Sequence, residues 1–270
     1  MTDGYSAISR PNREALPPEQ TMDAAMRIHL YTICWNERTL LPYFLRHYEQ
    51  FCEAIIVYDN GSNDESTEIV AAHRLCELRH VDSRGEYDES VLMQIKGNAW
   101  KESRGIADWV ISCDVDELLY HPDMMGFLSE CRESGVTVPI PSGFQMVATM
   151  LPQNTGQIYD GIRNGFPDPA YSKRVIFNPT AIREINYGPG CHHARPEGDV
   201  RQLADPALKL LHFKFLGLDY LTARYAEMHQ RQSKYNRERE FGIQYSWDPQ
   251  RIADAFAWYE QQAVPIDLNA

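Results

Sequence analysis

The 270-residue chain lacks any apolar run long enough to cross a bilayer. Runs such as 109–113 and 54–58 fall far short of the roughly 20 residues a spanning helix needs, so the chain reads as not transmembrane by itself. Positive charge is scarce: 26 Lys and Arg against 38 Asp and Glu give a formal net charge of −12. A surface of that sign repels phosphate backbones and argues against nucleic-acid binding. The first residues hold no apolar signal-peptide core. The six cysteines, Cys34, Cys52, Cys76, Cys113, Cys131 and Cys191, include no C-x-x-C pair. Together these point to reduced thiols and a cytoplasmic protein rather than a disulfide framework. No internal repeat is visible, and neither G-x-G-x-x-G nor G-x-x-x-x-G-K-S/T follows the first strand-like segment, so a dinucleotide fold and a P-loop are both unsupported.

What is present is ordinary globular composition, 43% hydrophobic and 24% charged, which excludes a mostly disordered chain. The length fits one large α/β domain, or a domain carrying a lobe. After a polar extension over 1–26, strand-like apolar runs at 27–35, 54–58, 77–81 and 109–113 alternate with helical patterns, the third of them over 91–104. That alternation predicts right-handed βαβ crossovers and an open, mostly parallel sheet flanked by helices, with ligands outside the carboxyl ends of the strands. From about residue 136 the pattern changes. Short strands are expected at 136–140 and 144–150, Gly- and Pro-rich loops through Pro206, a strand at 207–215, a long helix over 219–239 and a last helix over 249–262. The halves are thus 27–135, with the expected ligand-binding strand ends, and 136–270, a smaller acceptor-side lobe with the C-terminal helices.

The sharpest chemical signal is Asp114-Val115-Asp116-Glu117 at the end of a buried strand. Three carboxylates in four residues repel one another unless a cation or solvent compensates them. Mg2+ or Mn2+ does so with one or two protein carboxylates, leaving positions for water and phosphate oxygens. The bland alternative is a solvated acidic turn. Asp59-Asn60-Gly61-Ser62 after the second run offers a carboxylate to a base or ribose, or simply a turn that caps the next helix. Cys191-His192-His193 has zinc-ligand chemistry, but adjacent side chains on extended backbone point apart, which disfavours one shared ion.

CWNERTLLPYFLRHY, IIVYDNGSNDEST and ADWVISCDVDELLYHP, in this order and spacing, resemble family-2-like glycosyltransferases of the GT-A fold, the branch reading YDNGS-x-D and D-x-D-E. The resemblance covers 27–122 and continues more loosely through KRVIFNP, Gly190 to His193 and Leu210 to Lys214, and it makes 27–135 the nucleotide-sugar-binding half. It implies a metal-dependent transfer of a sugar from a nucleotide-diphosphate donor, with UDP-sugar favoured, to an acceptor hydroxyl in polysaccharide or glycoconjugate synthesis. Carried over by position, Thr32, Cys34, Asn36 and Glu37 line the nucleotide pocket, Asp59, Asn60 and Gly61 meet the base, and Lys96 and Asn98 face the sugar or diphosphate. Asp114 and Asp116 hold the Mn2+ or Mg2+ and the donor. His212 completes the metal shell, with His193 its rival and a donor contact.

The resemblance further implies an inverting outcome, which needs a general base. Asp116 is the expected catalytic carboxylate, and Glu184 and Asp168 are base candidates beside Asp160 and Glu197; the paired acid usual in the wider family has no clear match. The basic, amphipathic stretch from Asp219, with Arg224, Arg231, Lys234, Arg237 and Arg239, suits anionic lipid and a lipid-linked acceptor at the inner face of the membrane, or the donor phosphates. Two other classes remain open: a nucleotidyltransferase, and a sugar-nucleotide or glycan binding module without turnover.

Overall fold

The structure is a computed structural model and describes residues 26–151, 153 and 156–269. The expected polar extension over 1–26 therefore lies outside the described residues, apart from Met26. In chain order the elements are β1 (Ile28–Cys34), α1 (Leu41–Tyr48), β2 (Ala54–Asp59), α2 (Ser66–Ala72), β3 (Cys76–His80), α3 (Glu89–Asn98), β4 (Trp109–Ser112), β5 (Glu117–Tyr120), α4 (Met124–Ser134), β6 (Val138–Ala148), α5 (Ile158–Gly161), β7 (Asn164–Pro167), β8 (Ile176–Phe177), β9 (Ile182–Glu184), β10 (Glu197–Gly198), β11 (Gln202–Leu216), α6 (Leu218–Arg231), α7 (Lys234–Glu238), α8 (Pro249–Gln262) and β12 (Val264–Pro265).

The first half forms a five-stranded sheet in the order β3-β2-β1-β4-β8, parallel except for the short β8. Its central strands are apolar on both faces, as strands covered on both sides must be. Ile28, Leu30, Ile55, Val57, Trp109 and Ile111 pack toward one face, where Leu41, Phe44, Leu45 and Tyr48 of α1 bury their apolar stripe. Tyr31, Ile56 and Val110, one residue out of phase, pack toward the other with Trp100 and Phe177. The carboxyl ends of β1, β2 and β4 consequently open at one rim, carrying Trp35 to Glu37, Asn60-Gly61 and Asp114 to Asp116.

A second five-stranded sheet, in the order β12-β7-β6-β11-β5, is mixed: β11 runs parallel to β6 and antiparallel to β5. β5 follows β4 after only four residues yet belongs to this second sheet, so the acidic turn is the point where the chain crosses between sheets. It is held on both sides, Phe213 N–H donating to Asp116 O at 2.7 Å and Glu117 N–H to Asp114 O at 3.0 Å. Helices α6 and α8 cover part of this sheet through Leu221, Tyr225, Ile252 and Phe256 against Val147 and Phe215.

The second half departs from the sequence reading. The two short strands expected at 136–140 and 144–150 are one strand, β6, because Gly143 lets it run on under the Pro169–Tyr171 turn, where an added Cβ would come within 2.2 Å of the Tyr171 backbone. The loops expected through Pro206 end earlier: β11 begins at Gln202 and absorbs Asp205-Pro206 at a register shift between Ala204 and Lys209. The long helix expected over 219–239 stops at Arg231, where Gln232 turns extended and the Ser233 hydroxyl caps α7 by accepting from Asn236 N–H at 3.1 Å. β5 and α4 have no counterpart in the sequence reading.

Glu117 and Lys173 form an ion pair at 2.5 Å with side chains only 1% and 3% exposed, directly beneath the acidic turn. Removing one partner leaves a buried charge uncompensated, which costs about 3–5 kcal/mol. We expect Glu117→Gln to lower unfolding free energy by that amount in urea titration, and Glu117→Gln with Lys173→Met to recover a substantial part of it. Equal stability of Glu117→Gln and the parent would contradict the role given to the pair.

Candidate active site at the junction of the two sheets

Each acid of the turn meets a basic side chain from a different part of the chain. The Lys96 ammonium, reaching from α3, bonds the Asp114 carboxylate. Lys173 takes Glu117, whose second oxygen accepts from Asp114 N–H at 3.2 Å. His212 Nε2 stands 3.0 Å from Asp116 Oδ2. Burial alone would raise the pKa of Asp116, but the His212 imidazole, followed by Lys214 and Lys173, outweighs it and holds the carboxyl below the usual range. For Asp114, Lys96 and then Lys173 likewise overcome burial. Both acids are thus held as carboxylates at neutral pH.

His212 is oriented from behind. Its Nδ1 lies 2.7 Å from Gln145 Oε1, and the Gln145 amide nitrogen donates to Asp168 Oδ2 at 3.4 Å. With Asp168 able only to accept, the Gln145 oxygen faces the imidazole, so Nδ1 carries the proton. Nε2 is then the atom presented to Asp116. Tyr171 stacks on the imidazole, ring centroids 4.4 Å apart at 19°, and takes His192 edge-on at 4.9 Å. Burial, then Lys173, lowers the His192 pKa, and its Nδ1 lies 2.9 Å from Ala170 O.

Around this point lies a cavity of about 410 Å3. On its far side Arg231 lies over the Trp35 ring at 3.8 Å and Arg224 at 4.9 Å. Arg224 also pairs with Glu37 and donates to Trp35 O at 2.9 Å, and Arg231 donates to Asn60 O and Gly85 O at 2.8 and 2.9 Å. Burial and the neighbouring Arg224 push the Arg231 guanidinium down to about 10. Both arginines of α6 point into the cavity, which removes them from any lipid-facing stripe. No helix among the described residues is long and apolar enough to cross a membrane.

Of the residues named from sequence, Glu37, Asn60, Lys96, Asp114, Asp116, His212, Arg224 and Arg231 line this cavity. The others lie elsewhere, for reasons visible in their contacts. Thr32 and Cys34 are buried in β1, Cys34 within the apolar core. Asn36 is tied to Asn63, its amide nitrogen donating to Asn63 Oδ1 at 2.8 Å. The Asp59 carboxylate closes its own turn, accepting from Gly61 N–H at 3.1 Å and Ser62 N–H at 3.2 Å, with Gly61 at φ +77°. Asn98 accepts from Lys101 Nζ at 2.8 Å and donates to Gln94 O. Glu184 pairs with Lys101 at 2.5 Å and Glu197 with Arg183 at 2.9 Å. Asp160 caps α5, Asp168 caps the Pro169–Tyr171 turn, and the His193 carbonyl accepts from Gly188 N–H. The carboxylates nominated as bases are therefore engaged away from the cavity, and the base stays unassigned.

Trp35 falls within the turn over 32–37 expected to line the nucleotide pocket; residues at the site that the sequence reading did not nominate are Gln145, Tyr171, Lys173 and Lys214. Alternation along β11 places Lys214 on the same face as His212, and the spacing of seven between Arg224 and Arg231 puts both on one face of α6. Those two patterns were available in the sequence.

Among the described residues, no three His, Cys, Asp or Glu side chains form a ready-made metal cage. Asp116 and His212 converge, whereas the Asp114 carboxylate is taken by Lys96. One carboxylate and one imidazole nevertheless fit Mn2+ or Mg2+, ions that keep water and phosphate oxygens in their remaining positions.

No family model and no curated protein sequence matches the chain. Among solved structures it is similar to TarS from S. aureus at 10% identity and a TM-score of 0.42, covering 86% of this chain and 43% of that one. It is also similar to residues 1-349 of TarS in complex with UDP-GlcNAc, at 11% identity and a TM-score of 0.39, over 82% of this chain and 71% of that one. A third is GalNAc-T7 with UDP, GalNAc and Mn2+, at 12% identity and a TM-score of 0.43, over 87% of this chain and 57% of that one. The chain thus spans less than half the length of the TarS chain it is similar to.

Proposed function

We propose that the chain is a GT-A-type glycosyltransferase that moves a sugar from a nucleotide-diphosphate donor, favourably a UDP-sugar, to an acceptor hydroxyl of a growing polysaccharide or glycoconjugate. The observation that carries this reading is the convergence of Asp116 and His212 at the carboxyl rim of a parallel sheet, in a cavity lined by Lys and Arg side chains. The three ordered motifs after β1, β2 and β4 support it.

Asp116 and His212 would hold a divalent ion. When bound, that ion neutralises charge that grows on the leaving diphosphate. In the transfer, the acceptor oxygen forms a bond to the anomeric carbon as the bond from that carbon to the phosphoryl oxygen breaks, and the nucleoside diphosphate leaves with the electron pair. The hydroxyl proton passes to a base or to water. A single displacement of this kind inverts the anomeric centre. The chain's own part is positional: Gln145 and Tyr171 fix the His212 ring, and the Arg224 and Arg231 stack on Trp35 walls the nucleotide side.

Two outcomes check this. Chelation by EDTA should abolish release of UDP from a UDP-sugar, and Mn2+ or Mg2+ should restore it; undiminished release in EDTA would remove the metal from the mechanism, and release of pyrophosphate instead of UDP would indicate nucleotidyl transfer. Asp116→Asn and His212→Ala should each weaken Mn2+ binding at least about tenfold, by analogy with losses at metal shells, read by Mn2+ electron paramagnetic resonance with UDP present. Parent-like Mn2+ affinity in Asp116→Asn would contradict the assignment.

A further inference from the structure

We propose that Lys214 binds the diphosphate of the donor; this rests on the sugar-transfer reading and assigns a contact within it. Lys96, Lys173 and Arg224 each have a carboxylate partner at the cavity. Among the described residues Lys214 has no carboxylate partner and makes no hydrogen bond; its ammonium lies over the rings of Tyr225 at 5.2 Å and Tyr245 at 5.7 Å. Two aromatic faces stabilise a cation by about 0.5–2 kcal/mol each, and Asp116 acts on the Lys214 ammonium through space without forming an ion pair or hydrogen bond with it. A partly buried ammonium in that position favours an anion from outside the chain.

The geometry selects which anion. His212 and Lys214 stand two residues apart on one face of β11, about 7 Å along the strand. An anion that extends from the Asp116–His212 pair, which would hold a divalent ion, to the Lys214 ammonium would need oxygens on two separated centres. Two linked phosphoryl groups do so, and a single carboxylate does not. Lys supplies a point charge with three donors on a flexible stem, suited to phosphoryl oxygens of varying orientation. Tyr225 and Tyr245 restrict that stem and keep the ammonium aimed into the cavity.

Isothermal titration calorimetry with Mn2+ present tests this, with UDP, GDP, uridine and inorganic pyrophosphate as probes. Lys214→Met should weaken whichever nucleoside diphosphate the parent binds by about tenfold or more, the loss expected for a charge-assisted contact. Inorganic pyrophosphate should weaken in parallel, uridine should be unaffected, and Lys214→Arg should retain most of the affinity. Lys214→Gln serves as the second variant, and thermal melting establishes that each is folded. Parent-like UDP and GDP affinity in folded Lys214→Met or Lys214→Gln overturns the assignment and leaves the donor reading standing, as does equal weakening of uridine. A parent protein that binds neither UDP nor GDP overturns both.

Discussion

The site depends on a buried ion pair between two parts of the chain. Glu117 and Lys173, almost wholly withdrawn from solvent, sit under a turn where three acids occur in four residues. Without compensation such a turn would be driven apart by its own charge. The fold answers by giving each acid a separate basic partner: α3 sends Lys96 to Asp114, the segment before β8 sends Lys173 to Glu117, and β11 sends His212 to Asp116. These partners come from distant parts of the sequence, Lys96 and Lys173 from beside the first sheet and His212 from the second, so the turn is braced from both sheets. Stability and site geometry are therefore one requirement, which is why β5 leaves the first sheet at once and pairs with β11 in the second.

That same constraint explains the second sheet. β11, fifteen residues long, delivers Leu210, Leu211 and Phe213 to the core while His212 and Lys214 face the cavity. Its continuation, α6, turns Arg224 and Arg231 back toward the β1 end, where they stack on Trp35 and bond the carbonyls of residues 35, 60 and 85. The carboxyl rim of the parallel sheet thus carries acids on one side and guanidinium groups on the other. The proposed nucleotide-diphosphate donor with a divalent ion would complement that polarity.

The first half was legible from the sequence because its signals are local. β1, β2 and β4 are continuous apolar runs, and the polar residues that follow them stand at the strand ends, where an α/β sheet binds its ligands. The second half was less legible because its elements are set by neighbours. Asp205-Pro206 reads as a loop, yet pairing with β6 on either side of a register shift absorbs it into β11. The break at Gln232-Ser233 has no proline or glycine to mark it; it follows from the Ser233 cap and from backbone pairing with Tyr87. Within the site, residues with metal or acid chemistry could be picked out by type, but Gln145 and Tyr171 could not, since their part arises only from contact with His212.

Asp168 shows how a residue chosen for one chemistry serves another. As a carboxylate in the second half it suited a general base, but both its oxygens are engaged, Oδ1 by Ala170 N–H at 3.0 Å and Oδ2 by the Gln145 amide nitrogen. That second bond sets the amide, the amide oxygen sets the imidazole, and the imidazole presents Nε2 to Asp116. A carboxylate two contacts removed from Asp116 thereby decides which histidine nitrogen faces it. Residue type alone picks out the Asp168 charge, whereas its contacts with Ala170 and Gln145 are supplied only by the packing of the Pro169–Tyr171 turn against β6.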